Sequence, residues 1–396
     1  MKVSKDLLFK DSIAIGLYFA LLAFIAIFFA YERIINSDAA FYLFKLIHFE
    51  NFNIEHGRYS AFISQLFVLP FIKMGANLKL IIFIYSFSFV LLFFIVFLII
   101  DRLLKDRSSA FTLIFLLVAG LAHPHYRPVS ESTQGLVYAL LLPGILHMNV
   151  FFVNKYLSNI IKLLLGLLIV VLCYFSHPIT IFPLGFIIIY YMINTKFELK
   201  KPWFWLLILG LVLLYSSKFF LGSGSAYEEN KLVNLNSFFS IIPEFFNIYS
   251  TRFFLKRITS TYLITTVLFL TTFIYYLRSG SYYKLLLISL FCMIFFFIHN
   301  TIYQDGGSDL ELEKNFMTLN FFIFFSFFHD VFPNLRLNVL RTGFLVGVLL
   351  FSAWIIKQPA HIYRERIDYY EKLNEELQSQ KGRKIIAFIP KKIHAE

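Results

Sequence analysis

The sequence predicts an all-α polytopic membrane protein with about eleven transmembrane helices, and three observations carry that expectation. Hydrophobic residues make up 59% of the 396, with 52 Phe among them, and charged residues only 15%. Mean hydropathy is +0.72. Apolar runs of about 17 to 25 residues, each able to cross a hydrocarbon core of roughly 30 Å, recur along the whole chain. A soluble domain could not hide that much apolar surface.

The N-terminal MKVSKDLLFKDS has the basic start of a signal peptide. The apolar run after it continues to Phe29 without a small-residue cleavage site, so it reads as a retained first span over 12–31. The stretch from Asn36 to Pro70 that follows is polar by comparison. Its apolar run, Ala61 to Met74, is interrupted by Ser64, Gln65 and Pro70, and reads as an interfacial helix rather than a crossing. That choice sets the orientation of everything downstream. The loops at 101–107, 154–162, 194–202, 277–284 and 333–341 then lie inside, each with two or three Lys or Arg, as the positive-inside rule requires.

The later spans are expected at 77–100, 108–122, 132–153, 160–176, 178–194, 202–220, 259–277, 284–299, 316–332 and 340–356. This puts the N-terminus in the cytoplasm and the C-terminus outside a cell inner (cytoplasmic) membrane. Residues 1–356 form the transmembrane domain, with a first outer loop over 32–76. Residues 357–396 form a small extracytoplasmic α/β tail, with helical charge pairing over Arg364 to Gln380 and a short strand in Lys381 to Pro390.

Cys173 and Cys292 both sit inside apolar spans, which argues for core positions and against a disulfide framework or cysteine metal site. The formal charge of +12 is scattered through short loops and the tail. That pattern fits anionic membrane lipids and not nucleic acid, which would want one basic stripe. No Walker loop, dinucleotide fingerprint or Ser-His-Asp order is present, so nucleotide-dependent chemistry is not expected.

On this topology the outer face collects the residues able to do chemistry. Asp38, in SDAAFYLFKLIHF, has two open readings: a first-turn acid capping an interfacial helix, or a carboxylate aimed into a cavity as a base or ion ligand. His56-Gly57-Arg58-Tyr59 is a turn whose guanidinium either snorkels to lipid phosphate or holds the phosphate of a lipid-linked substrate. In AHPHYRPVSES, His123 and His125 with Glu131 and Asp38 are candidate ligands for a divalent cation, though the spacing matches no recognised ligand pattern. Tyr126 and Arg127 are candidate substrate contacts beside them. His177, followed by Pro178, is either a capping residue or a further substrate contact. Asp305, Asp309, Glu311, Glu313 and Lys314, with Gly306-Gly307, read as a solvated acidic loop.

These residues resemble a family, the integral-membrane glycosyltransferases of the GT-C fold, which includes protein O-mannosyltransferases, aminoarabinose transferases and O-antigen glucosyltransferases. The resemblance rests on a first span followed by SDAAFYLFKLIHF with its acid, then FIKMGANLKL, then a second span closing with DRLLKDR. Glu131 in VSESTQGLVYALL takes the place of a second acid at the outer start of the fourth span, and HGRYSAF is similar to the Gly-Arg motif of the O-antigen glucosyltransferase branch. Coverage is good over about residues 1–195 and weaker beyond. Two departures stand out: the first-loop acid is single where many members have a pair, and His177 stands where some members have a lysine.

The resemblance implies a GT-C-like fold and transfer of a sugar from a polyprenyl-phosphate donor to an acceptor hydroxyl of an envelope glycan, lipid or protein. Asp38 would be the base, and Arg58, His56 and His177 would face the leaving phosphate. Glu131 would position the acceptor or a divalent cation. A transporter or flippase of lipid-linked glycans is the competing reading, and a non-catalytic envelope scaffold is a third.

Overall fold

The structure, a computed structural model, describes residues 5–35, 37–148, 154–195, 200–220, 233–304, 306–335 and 338–379. Apolar runs with no alternation leave the backbone one way to satisfy its amides without water, and the described residues are helical throughout, with no strand. Helix α1 spans Lys5–Phe28, α2 Ala30–Ile34, α3 Ser37–Phe49 and α4 Leu78–Leu98. Then come α5 Arg107–Val118, α6 Glu131–Ala139, α7 Leu141–His147, α8 Lys155–Tyr174, α9 Ile181–Asn194 and α10 Pro202–Phe220. The chain continues with α11 Tyr249–Arg257, α12 Leu263–Arg278, α13 Tyr282–Ile302, α14 Asp309–Ser326, α15 Asn338–Lys357 and α16 Ala360–Ser379.

Within the described residues, five helices are long and apolar enough to cross a membrane: Leu78–Leu103, Tyr156–Tyr174, Tyr282–Ile302, Asp309–Asn334 and Arg341–Glu376. Shorter apolar helices run over Ile15–Phe28, Arg107–Val118, Pro178–Asn194, Pro202–Ser217 and Leu263–Arg278. The protein is a helical membrane protein.

Local chemistry explains where the helices start. Asn77, Asp106, Ser130, Asn154 and Ser308 each accept a hydrogen bond from a backbone N–H in the first turn of the helix that follows. The cap at Ser308 revises one expectation. The acidic run Asp309 to Lys314 is no solvated loop but the first two turns of α14, with Glu313 buried at 1% exposure.

In the first loop the interfacial helix expected over Ala61 to Met74 is broken into short pieces, none long enough to cross a membrane. It folds as a 3₁₀ turn at Tyr59–Ala61, one turn at Phe62–Gln65, and Leu69–Lys73. In the tail, α16 forms over the expected helical segment, starting four residues early. The strand expected at 381–390 lies outside the described residues.

The core is one aromatic-rich cluster running through α1, α5, α6, α9 and α14. Phe115 lies at its centre, with ring contacts to Phe324, Phe328 and Phe344. Polar residues gather at the two ends of this bundle. At one end Asp330, just past α14, accepts hydrogen bonds from Tyr190 (2.7 Å), Tyr276 (2.6 Å) and Lys284 (2.7 Å), which come from α9, α12 and α13. The other end carries α2, α3, the 123–131 segment and the start of α14. Every site residue expected from the sequence is at this second end or beside it.

Candidate active site

Helix α3 begins at Ser37, so Asp38 is an acid inside its first turn. Its carboxylate does not stop at the helix dipole. Arg127 pairs with it through Nη2 and Oδ2, and the Asp38 side chain remains 46% exposed. One helical turn on from Asp38, Tyr42 lies on the same face and donates from its hydroxyl to Glu131 Oε1 at 3.0 Å. Arg127 and Glu131 are likewise four residues apart. The two segments are therefore tied by two parallel rungs, Asp38–Arg127 and Tyr42–Glu131.

A third contact closes the group. His56 and Gly57 both take left-handed backbone conformations, with φ of 53° and 67°, and this tight turn brings Arg58 back toward Glu131. Arg58 Nη1 lies 3.4 Å from Glu131 Oε2, with side-chain exposures of 11% and 7%. Burial works to raise the Glu131 carboxyl, but Arg58, Lys314, a backbone N–H and the Tyr42 hydroxyl more than offset it and hold the group below its ordinary value. Glu131 is thus a carboxylate at neutral pH.

His177 is held beside this group by the chain on either side of Arg58. Ser60 donates from its backbone N–H to the Phe175 carbonyl at 3.3 Å, and the Ser60 and Ser176 hydroxyls are 2.6 Å apart. Tyr59 contacts the Phe175 ring edge-on. His177 itself caps the Pro178–Thr180 turn, its Nδ1 accepting from the Ile179 N–H at 3.2 Å, which is its capping reading. The close fit of this break depends on Gly135 in α6, where an added Cβ would lie 2.4 Å from Thr180 Cγ2. His56 is exposed at the turn.

The remaining candidates face elsewhere. Tyr126 is fully buried, stacks on Tyr363 of α16 with centroids 4.7 Å apart, and donates to the Ile356 carbonyl at 3.0 Å. It joins the tail helix to the bundle. The His123 and Ala122 backbone N–H groups both donate to Glu313 Oε2 at 2.9 Å, and the His123 ring lies 3.2 Å from the Tyr363 hydroxyl. His125 is buried. Among the described residues no group of three or more His, Cys, Asp or Glu is placed to hold a metal ion. Asp38, Glu131, His123 and His125 therefore do not assemble the divalent-cation site that the sequence suggested.

The two histidines carry a pH dependence. Burial, opposed by Asp309 and aided by Arg257 and Arg366, pushes His123 down to about 4. Burial and the Arg33 charge push His125 down to about 3. The unfolded rings take up a proton near 6.5, so below that pH the unfolded state binds more protons. Stability from this turn is full above 6.5 and falls on acidification, by about 1.4 kcal/mol per pH unit for each histidine until its folded value is reached. Thermal unfolding in detergent at pH 7.5 and pH 5 is expected to show the loss, with a shallower slope for His125→Gln.

Three contributors escaped the sequence reading. Tyr42 is one of several aromatics in an apolar helix, and nothing in its spacing marks it. Lys314 sits near Glu131 because the helix begins at Ser308, and the Ser308-x-x-Glu311 pattern is a capping signature that could have revealed this. Arg33, in α2, is wholly buried and donates to Ser86 Oγ at 2.8 Å, to the Ser86 carbonyl at 3.3 Å and to the His125 carbonyl. Comparison with protein family models, with curated proteins and with solved structures finds no match.

Proposed function

We propose that the chain is an integral-membrane glycosyltransferase that moves a sugar from a polyprenyl-phosphate donor to an acceptor hydroxyl at the outer face of a cytoplasmic membrane. The carrying observation is the half-exposed carboxylate of Asp38 beside Arg127, on one rim with the buried Arg58–Glu131–Tyr42 group. A base and a set of cations are what departure of a lipid phosphate from an anomeric carbon requires. The proposal includes the eleven-span GT-C-like topology, with the N-terminus inside and this end of the bundle outside.

In this reading the acceptor hydroxyl gives its proton to Asp38 as its oxygen attacks the anomeric carbon. The bond from that carbon to the phosphate oxygen breaks, and the electron pair leaves with polyprenyl phosphate. Arg58 stabilises the charge that develops there, as a fixed cation in a poorly hydrated setting does. Arg127 holds Asp38 in place until substrate arrives. Glu131 fixes Arg58 and orients the acceptor.

The test is reconstitution in proteoliposomes with labelled polyprenyl-phosphate sugars and an envelope extract as acceptor. Release of polyprenyl phosphate with label moved to the acceptor supports the reading. Passage of the intact lipid-linked sugar across the bilayer without cleavage identifies a transporter instead.

A further inference from the structure

Arg127 faces two ways. On one side it pairs with Asp38, and on the other it lines a cavity of about 60 Å³ together with Arg33, His125, Ser130, Thr133 and Met317. The walls opposite these polar groups are apolar. A site needs roughly 10–15 Å³ to hold one water, so there is room for a few waters or for one compact anion.

Two features of this cavity call for negative charge. The first is Arg33, which is wholly buried and whose described partners are all neutral: Ser86 Oγ, the Ser86 carbonyl and the His125 carbonyl. Its sequence neighbour Glu32 turns away to Arg364 at 3.0 Å. Burial lowers Arg33 only to about 10, so it stays cationic at neutral pH. A buried cation without a counter-charge is costly, by several kcal/mol in real proteins. Three of its five N–H donors are used, leaving one on each terminal nitrogen, which is the fork that matches two oxygens of an oxyanion.

The second feature is His125, 7% exposed, whose Nε2 has no hydrogen-bond partner although it is buried and its ring lines the same cavity. Unsatisfied buried polar atoms are rare and call for a ligand or water. An imidazole N–H beside a guanidinium fork suits an acceptor-only guest.

We propose that this cavity binds one phosphate-type oxyanion between Arg33 and His125 Nε2, and that the anion competes with Asp38 for Arg127. The occupied cavity releases Asp38 from its ion pair, and the empty one holds it. The chemistry fits both free inorganic phosphate and the phosphoryl head of a lipid. The inference does not rest on sugar transfer, because it is read by binding.

The experiment uses the full chain, delipidated in neutral detergent and free of phosphate. Unfolding temperature is followed against inorganic phosphate, since a ligand that binds only the folded state raises it in a saturable way. The expected result is a saturable rise that Arg33→Gln abolishes and the exposed control Lys79→Gln leaves intact. A rise with phosphatidate vesicles but not with inorganic phosphate supports the same site with a lipid headgroup as its guest. No rise with either overturns the proposal, and so does an undiminished rise in Arg33→Gln.

Should Arg33→Gln fail to fold, Asp38→Asn supplies an independent reading. Replacing the competing carboxylate by a neutral amide, which holds Arg127 less strongly, is expected to tighten binding of radiolabelled phosphate by roughly 5–150-fold, the usual span of coupling between sites. Unchanged affinity overturns the competition for Arg127. Loss of sugar transfer in that variant with no change in phosphate affinity would separate failure of this inference from failure of the glycosyltransferase reading.

Discussion

Asp38→Asn is expected to lower sugar transfer by about 10²–10⁴-fold, the usual contribution of a positioned general base. The substitution keeps the shape of the side chain, and its amide oxygen still accepts from Arg127, so α3 and its link to the 123–131 segment survive. What disappears is the ability to take a proton from the acceptor. The measurement is initial release of labelled polyprenyl phosphate in proteoliposomes, with wild type and variant matched for insertion. A variant rate equal to the wild-type rate removes Asp38 from the reaction and leaves it as a helix-start acid.

Glu131→Ala is expected to act on stability first. Glu131 is 5% exposed and is the carboxylate facing Arg58 at 3.4 Å and Tyr42 at 3.0 Å. Removing one member of a buried pair costs about 3–5 kcal/mol, because the other charge loses its compensation inside the protein. Glu131→Gln keeps an acceptor for Tyr42 and is expected to lose less. Unfolding in mixed micelles orders the three proteins, and equal midpoints for wild type and Glu131→Ala would show that the contact carries no stability. Acid has the same sign of effect. The folded carboxyl lies below its ordinary 4.5, so its stabilising contribution is present above 4.5 and is lost as pH falls through the folded value.

How much of this was legible follows from range along the chain. Helices were readable because each is encoded by its own contiguous apolar residues, and the start after Asn77 fell where expected, but α8 begins at Lys155 rather than 160 and the single span expected at 132–153 is divided into α6 and α7. The boundary of α14 was misplaced because charge was read as solvation. Glu313 is in fact buried, accepting from two backbone amides 190 and 191 residues away.

The same limit governs the site. Asp38, Arg58 and Glu131 stood out as charges between apolar runs, but Arg58 meets Glu131 across 73 positions and Tyr42 meets it across 89. Arg33 reaches His125 across 92. A pattern that repeats every few residues carries no information about such meetings. Residue type announced which groups were chemically capable, and only the three-dimensional path of the chain decided their partners. Tyr126 and His123, equally capable, were carried to the tail helix instead.

The Asp330 cluster at the far end has a mechanical consequence for the opposite end of α14. Three helices donate to one carboxylate there, so α9, α12, α13 and α14 share a fulcrum. Lys314 stands sixteen residues up α14 from Asp330, about 24 Å along the axis at 1.5 Å per residue. A tilt of about 5° about that point moves the Lys314 end by about 2 Å while hardly disturbing the three bonds at the pivot. Such a tilt would change the distance from Lys314 to Glu131, the carboxylate it faces.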